Sequence, residues 1–204
     1  SEAYRPIDGI DAFVRWCETA PELSGEALSK MEKNESSVCF QKALSWSKAV
    51  NEAIERLPED VKKPYDGVAQ GIRAAHEKAD IAIVSSANKQ AVVEEWERCG
   101  LLSLTDVVLT QTEGSKAYCI GRLLEAGYEK DHVLMIGDAP GDHQAALQNG
   151  VCFYPILVKK EALSWKQFRK EALERFQNDR YRGAYEERCI ADFEKNLGKG
   201  ENNG

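Results

Sequence analysis

Three kinds of side chain in this 204-residue sequence fall where chemistry is possible. There are hydroxyls at Ser85 and Ser86, an ammonium at Lys116, and carboxylates at Asp138 and Asp142. The hydroxyls follow the apolar run Ile81-Ala82-Ile83-Val84. The carboxylates sit in Gly137-Asp138-Ala139-Pro140-Gly141-Asp142, directly after Val133-Leu134-Met135-Ile136. Lys116 opens a helical pattern between the two. Two acidic groups on a tight, glycine-containing turn can hold Mg²⁺, which takes oxygen ligands and keeps several waters. Gly137 and Gly141 predict a sharp turn, with positive φ open to Gly141. A lysine supplies fixed positive charge where a transferring phosphoryl group gathers negative charge. A small hydroxyl beside backbone N–H groups can hold a phosphate oxygen. Each residue also has a plainer use: Asp142 is of the type that caps a helix, a single lysine is usually solvated, and a single serine says little. Their common placement after strands is what points to phosphoryl chemistry.

Placement depends on the elements. Four short apolar runs, at residues 81–84, 106–109, 133–136 and 151–154, read as strands. Helical patterns at 68–78, 89–98, 115–124 and 143–148 alternate with them, closed by glycines such as Gly100, Gly127 and Gly150. Continuous apolar strands alternating with helices predict a parallel sheet covered on both faces. In such a sheet ligands sit outside the carboxyl ends of the strands, where all the named side chains lie. Residues 1–63 read as helical, with one stripe through Phe13, Val14, Trp16 and Cys17. A second, at a period of about 3.6, runs through Cys39, Phe40, Leu44, Trp46, Ala49, Val50 and Ile54. Asn34 to Ser37 is the expected break between them. Residues 161–176 and 185–197 are helical again, their aromatics read as core, and 198–204 read as a frayed tail. The domains expected are therefore 1–63, 64–197 and the tail.

Composition excludes several classes. Hydrophobic residues are 43 % and charged residues 30 %, ordinary for a globular chain. The net charge of −7 comes with no basic stripe, against nucleic-acid binding. No apolar run reaches the roughly 18 residues that span a bilayer, and residues 1–20 hold no signal-peptide core. Six cysteines occur without a C-x-x-C pair, and three histidines do not cluster with them. Reduced thiols and a cytoplasmic location are expected. The first residue is Ser1 and not Met, as expected of a processed or cut product.

The run I-A-I-V-S-S, then G-S-K, then V-L-M-I-G-D-A-P-G-D resembles the second, third and fourth motifs of the haloacid dehalogenase superfamily. Lys116 lies 22 residues before Asp138, in keeping with that family's spacing. The resemblance covers roughly residues 64–156, and the segments S-W-S-K-A-V-N, V-S-S-A-N and F-Y-P-I are similar to a bacterial subgroup of its hydrolases. It implies an α/β, Rossmann-like parallel sheet with flanking helices and a helical cap segment at the N-terminus. It implies a Mg²⁺-dependent phosphatase acting on a small phosphorylated metabolite through an aspartyl-phosphate. Ser85, or less readily Ser86, is then the phosphate-binding hydroxyl. Lys116 steadies phosphate and nucleophile, Asp138 binds Mg²⁺, and Asp142 supports the metal.

One motif departs from the pattern. The family's first motif is an apolar strand ending in D-x-D, whose first Asp attacks phosphorus and whose second is the general acid/base. The nearest match is Ile7-Asp8-Gly9-Ile10-Asp11, preceded by a polar run too short for a buried strand. Asp8 there reads better as the cap of the first helix, with Asp11 in its first turn. The family's strand lies between those ending at Ser85 and Gly137, so either those two pair directly or something else fills the slot. The expectation is that the first strand is absent here and comes from a further N-terminal segment of the same protein or from another polypeptide. The chain alone is then inactive. A non-catalytic binding module of the same fold, a phosphomutase and a dehalogenase remain open, since fold does not choose among them. The acidic turn argues against the last. His143 reads as a surface or supporting residue. Glu113, Thr112, Trp46 and Asn51 carry no fixed role.

Overall fold

The computed structural model describes residues 7–20, 23, 25–58 and 61–198. The chain divides into two compact units, Ser1–Lys63 and Pro64–Gly204. The expected frayed tail lies outside the described residues except for Gly198.

The first unit is built from α1 (Ile10–Thr19), α2 (Gly25–Asn34) and α3 (Val38–Glu55). Phe40 is fully buried, and Phe13 and Trp16 meet it edge-on at 5.4 and 5.9 Å between ring centres. Asp8 caps α3 and not α1: its carboxylate accepts from the Val38 N–H at 3.3 Å, and its carbonyl accepts from Cys39. The cap position of α1 is Gly9, at φ 78, where a Cβ would stand 2.1 Å from the Ser37 hydroxyl. Left-handed backbone and close approach together demand glycine there. The apolar stripe expected along α3 is only partly a packing face. Cys39 and Phe40 are buried, whereas Trp46 is 70 % exposed and Ile54 is exposed. A periodic pattern marks one side of a helix but not how far along it a partner reaches.

The second unit carries four strands, β1 (Ala82–Val84), β2 (Val107–Leu109), β3 (Leu134–Gly137) and β4 (Cys152–Pro155). Its helices are α4 (Val68–His76), α5 (Lys89–Arg98), α6 (Lys116–Glu125), α7 (Pro140–Asn149), α8 (Glu161–Gln167), α9 (Leu173–Gln177) and α10 (Ala184–Asn196). A π-helical turn, Phe168–Ala172, joins α8 to α9. Local signals set several boundaries. Asn88 caps α5, accepting from the Gln90 and Ala91 N–H groups, and Ser115 caps α6 through Tyr118. Pro140 takes the first position of α7, where its missing N–H costs nothing. Gly150 ends that helix at φ 64.

Both pairings are parallel, as expected. β1 pairs with β2, Ile83 opposite Val108, and β3 pairs with β4, Met135 opposite Phe153. The four strands do not form one sheet: among the described residues β1 and β3 are not hydrogen-bonded to each other. β4 is buried along its whole length. Cys152 and Tyr154 face one cluster, with Phe168, Ala172 and Tyr181. Val151 and Phe153 face another, with Ile120, Ala145 and Phe193. This is the period-two alternation of a strand covered on both sides. β3 is different, half-exposed at all four residues although its sequence is apolar.

Candidate active site

The site begins where β3 runs into α7. Asp142 is the third residue of α7, so the acidic turn straddles a strand end and a first helical turn. The helix starts three residues before the point its sequence pattern suggested. One carboxylate oxygen of Asp142, Oδ2, accepts from the N–H groups of Asp138 and Ala139 at 3.1 and 3.0 Å. These are donors that a helix start leaves without partners. Its other oxygen, Oδ1, accepts from the Lys116 ammonium at 2.5 Å. Lys116 is the first residue of α6, which packs on α7. The Asp142 side chain is 4 % exposed and that of Lys116 25 %. Low exposure strengthens such a charge-assisted contact.

The glycines act differently from expectation. Gly141 lies inside the first turn of α7, is not among the positive-φ residues, and has open space where a Cβ would stand. Gly137 is the demanding position. A Cβ there would stand 2.3–2.5 Å from the Asp142 carboxylate and its Cβ. The bare backbone is what lets Asp142 fold back across the turn.

Ser85 follows β1. Its N–H donates to Leu109 O at 3.0 Å, and its hydroxyl accepts from the Ala87 N–H at 3.1 Å. Ser85 and Asp138 both line one cleft. Ser86 is half-buried and does not line it. The structure thus brings Lys116, Asp142 and the Asp138 backbone into one hydrogen-bonded group, with Ser85 at the rim of the cleft that Asp138 also borders.

Glu113 has a structural role the sequence left open. It receives the Thr110 N–H at 2.7 Å, the Thr110 hydroxyl at 2.9 Å and the Thr112 hydroxyl at 3.0 Å. Lys89 reaches its other oxygen at 3.3 Å. The Thr110 N–H, then the two hydroxyls, hold its carboxyl down at about 2 against an ordinary 4.5. The turn after β2 is therefore locked by one carboxylate and pinned to the start of α5. The signal was the T-Q-T-E-G string, two hydroxyls just ahead of an acid and a glycine. His143 is half-buried and not a surface residue. Its ring stacks on Phe153 at 4.9 Å and meets Phe193 edge-on.

The donor set can be tested against Mg²⁺. Asp138 is exposed at the cleft mouth, and no partner of its carboxylate is found among the described residues. Asp142 already spends both oxygens on Lys116 and two N–H groups. Among the described residues no group of three or more His, Cys, Asp or Glu side chains could enclose a metal. The arrangement fits an ion that takes one or two protein carboxylates and otherwise water and phosphate, as Mg²⁺ does. Asp138 is the residue that could ligate it.

The family model for haloacid dehalogenase-like hydrolases matches this chain over residues 10–156. Comparison with curated proteins and with solved structures gives no match.

Proposed function

This chain belongs to the haloacid dehalogenase-like hydrolases, and from that premise we propose that its site serves phosphoryl transfer from a small phosphorylated metabolite to water. The observation that carries the reading is the part-buried Lys116–Asp142 contact, tied through two N–H groups to the turn that presents Asp138. It holds an ammonium and a carboxylate in fixed positions at the starts of α6 and α7, next to the turn whose Gly137 and Asp138 border the cleft. Fixed charge of this kind stabilises a transferring phosphoryl group because nothing need reorganise as its charge develops.

In this reading Lys116 meets the phosphoryl oxygens from one side. The Ser85 hydroxyl, held at the rim by the Ala87 N–H, meets them from another. Asp142 does not touch substrate and orients Lys116. Asp138 would hold Mg²⁺, which would neutralise phosphate charge. The attacking carboxylate comes from a segment outside the described residues. It would bond to phosphorus as the phosphorus–ester oxygen bond breaks, the leaving oxygen taking its proton from that segment's second acidic residue, and water would then attack the acyl phosphate, releasing phosphate and restoring the carboxylate. A cytoplasmic location belongs to the same reading. No described helix is long and apolar enough to cross a membrane.

The test is direct binding of inorganic phosphate with and without Mg²⁺, followed by NMR or calorimetry. The chain should bind phosphate without hydrolysing an aryl phosphate. Lys116→Met and Ser85→Ala should each weaken binding by about tenfold, the loss of one charge-assisted or strong hydrogen bond. Phosphate affinity that ignores both substitutions would remove the reading. Turnover that disappears in Asp138→Ala would show that the nucleophile lies within the chain.

A further inference from the structure

We propose that Glu113 is a positioning residue: it fastens the turn that carries Ser85 to the helix start that carries Lys116, so that hydroxyl and ammonium meet one phosphate together. What they meet rests on the proposed phosphoryl transfer, whereas the fastening does not.

The contacts of Glu113 lead toward both groups. Toward Ser85 there are two routes. Oε2 accepts from the Thr110 N–H at 2.7 Å and from the Thr110 hydroxyl at 2.9 Å. Thr110 is fully buried and follows Leu109, whose carbonyl accepts from the Ser85 N–H at 3.0 Å. Oε1 meets the Lys89 ammonium at 3.3 Å. Lys89 is the first residue of α5, directly after its cap Asn88. One carboxylate therefore grips the turn at 85–88 from both ends. Within that turn the Ser85 hydroxyl accepts from the Ala87 N–H, and the Ala87 carbonyl accepts from the Gln111 N–H across the two loops.

Toward Lys116 the path is short. The N–H groups of Glu113 and Gly114 both donate to the Thr110 carbonyl, at 3.0 and 3.4 Å, so Gly114 belongs to the same turn. Gly114 has φ 140, and a Cβ there would stand 2.7 Å from the Tyr118 ring, so the passage has no slack. Ser115 then caps α6 through the Tyr118 N–H at 3.2 Å, and Lys116 is the next residue. α6 itself packs beside β1, the strand that leads to Ser85.

Only a carboxylate suits this joint. Thr110 N–H, two threonine hydroxyls and an ammonium all donate to it. An amide in its place turns an NH₂ group toward one set of these donors. Precision at the joint matters, because a misplacement of about 1 Å, made far from the reacting atoms, can cost on the order of a hundredfold.

The experiment follows backbone amide exchange and the affinity for inorganic phosphate in the full chain, in Glu113→Gln, and in Lys89→Met and Lys89→Arg. In Glu113→Gln, exchange at Ser85, Ala87 and Tyr118 should quicken about tenfold more than at Phe153 on β4, and phosphate affinity should fall about fivefold. Lys89 is half-exposed, so Lys89→Met should keep the parent's melting temperature. It should still quicken exchange at Ser85 and Ala87 and weaken phosphate binding by about threefold. Lys89→Arg, which can hold the carboxylate, should restore both. Exchange that quickens as much at Phe153 as at Ala87, with no rescue by arginine, overturns the proposal, since Glu113 then supports the fold at large. So does phosphate affinity that ignores Glu113→Gln and Lys89→Met while Lys116→Met and Ser85→Ala lower it. Phosphate binding that is absent, or blind to Lys116→Met and Ser85→Ala, removes the phosphoryl reading; local quickening in Glu113→Gln then upholds the fastening on its own.

Discussion

Asp138 and Asp142 are the same residue type four positions apart, yet their surroundings divide the labour. Asp142 is buried and accepts three hydrogen bonds. Asp142→Ala should destabilise the fold by about 3 kcal/mol, since it leaves two N–H groups and an ammonium unpaired. Combining it with Lys116→Met should cost less than the sum of the two, a non-additivity readable by denaturant unfolding. Asp138→Asn, at an exposed position, should stay within about 0.5 kcal/mol of the parent while weakening Mg²⁺-dependent phosphate binding. Glu113 gives a pH signature. Its carboxyl is held low in the fold, so its stabilising effect is full above the ordinary 4.5 and fades as pH falls toward about 2. The melting-temperature gap between the chain and Glu113→Gln should be widest near neutral pH and close in that acid range. At this scale the sequence was legible in placement: Lys116 opens a helix and Asp138 follows a strand, as their spacing suggested. It was silent on which oxygen bonds which donor, because that depends on folded geometry. The part played by Asp142 in fixing Lys116 and the turn could not be read from residue type.

Among the elements, strands were the most legible. Four apolar runs bounded by turn residues gave four strands, each shifted by about one residue, within the usual uncertainty of element ends. α7 was started too late because Pro140-Gly141 reads as a loop by composition, although proline suits a first helical turn. In α3 one apolar stripe at a helical period is expected along the helix, and exposed Trp46 shows that periodicity does not tell where covering stops. His143 reads from the sequence as a surface or supporting residue, set just inside a helix. The helix face it shares with Ala146 turns it onto Phe153 instead. The junction of β3 with α7 carries the sharpest prediction at this scale. Gly137→Ala forces a methyl against Asp142 and should cost about 2 kcal/mol, as overpacking does. It should also loosen Lys116, so phosphate binding should fall with stability. The neighbouring Gly141→Ala, with open space around it, should be neutral or slightly stabilising because alanine favours a helix.

For the molecule as a whole, none of the six cysteines, all among the described residues, forms a disulfide. Burial pushes the Cys152 thiol up to about 11, in keeping with an inert core residue. Strand order was beyond reach of the apolar runs themselves, which do not say which edges meet; only the family resemblance bears on it. The separation of the β1–β2 pair from the β3–β4 pair has a consequence for how the second unit comes apart. The β3–β4 pair sits between two packed clusters, whereas β1 and β2 are only partly covered, and helices such as α4 and α6 are the connection between them. A sheet ordinarily transmits unfolding from strand to strand through its ladder, and here the ladder is interrupted. Heating should therefore produce a broad transition whose calorimetric enthalpy exceeds the van't Hoff value, the β1–β2 half loosening first. A single sharp transition with equal enthalpies would mean that the helices alone couple the halves. Cooperativity in this chain then rests on its helices and not on a continuous ladder.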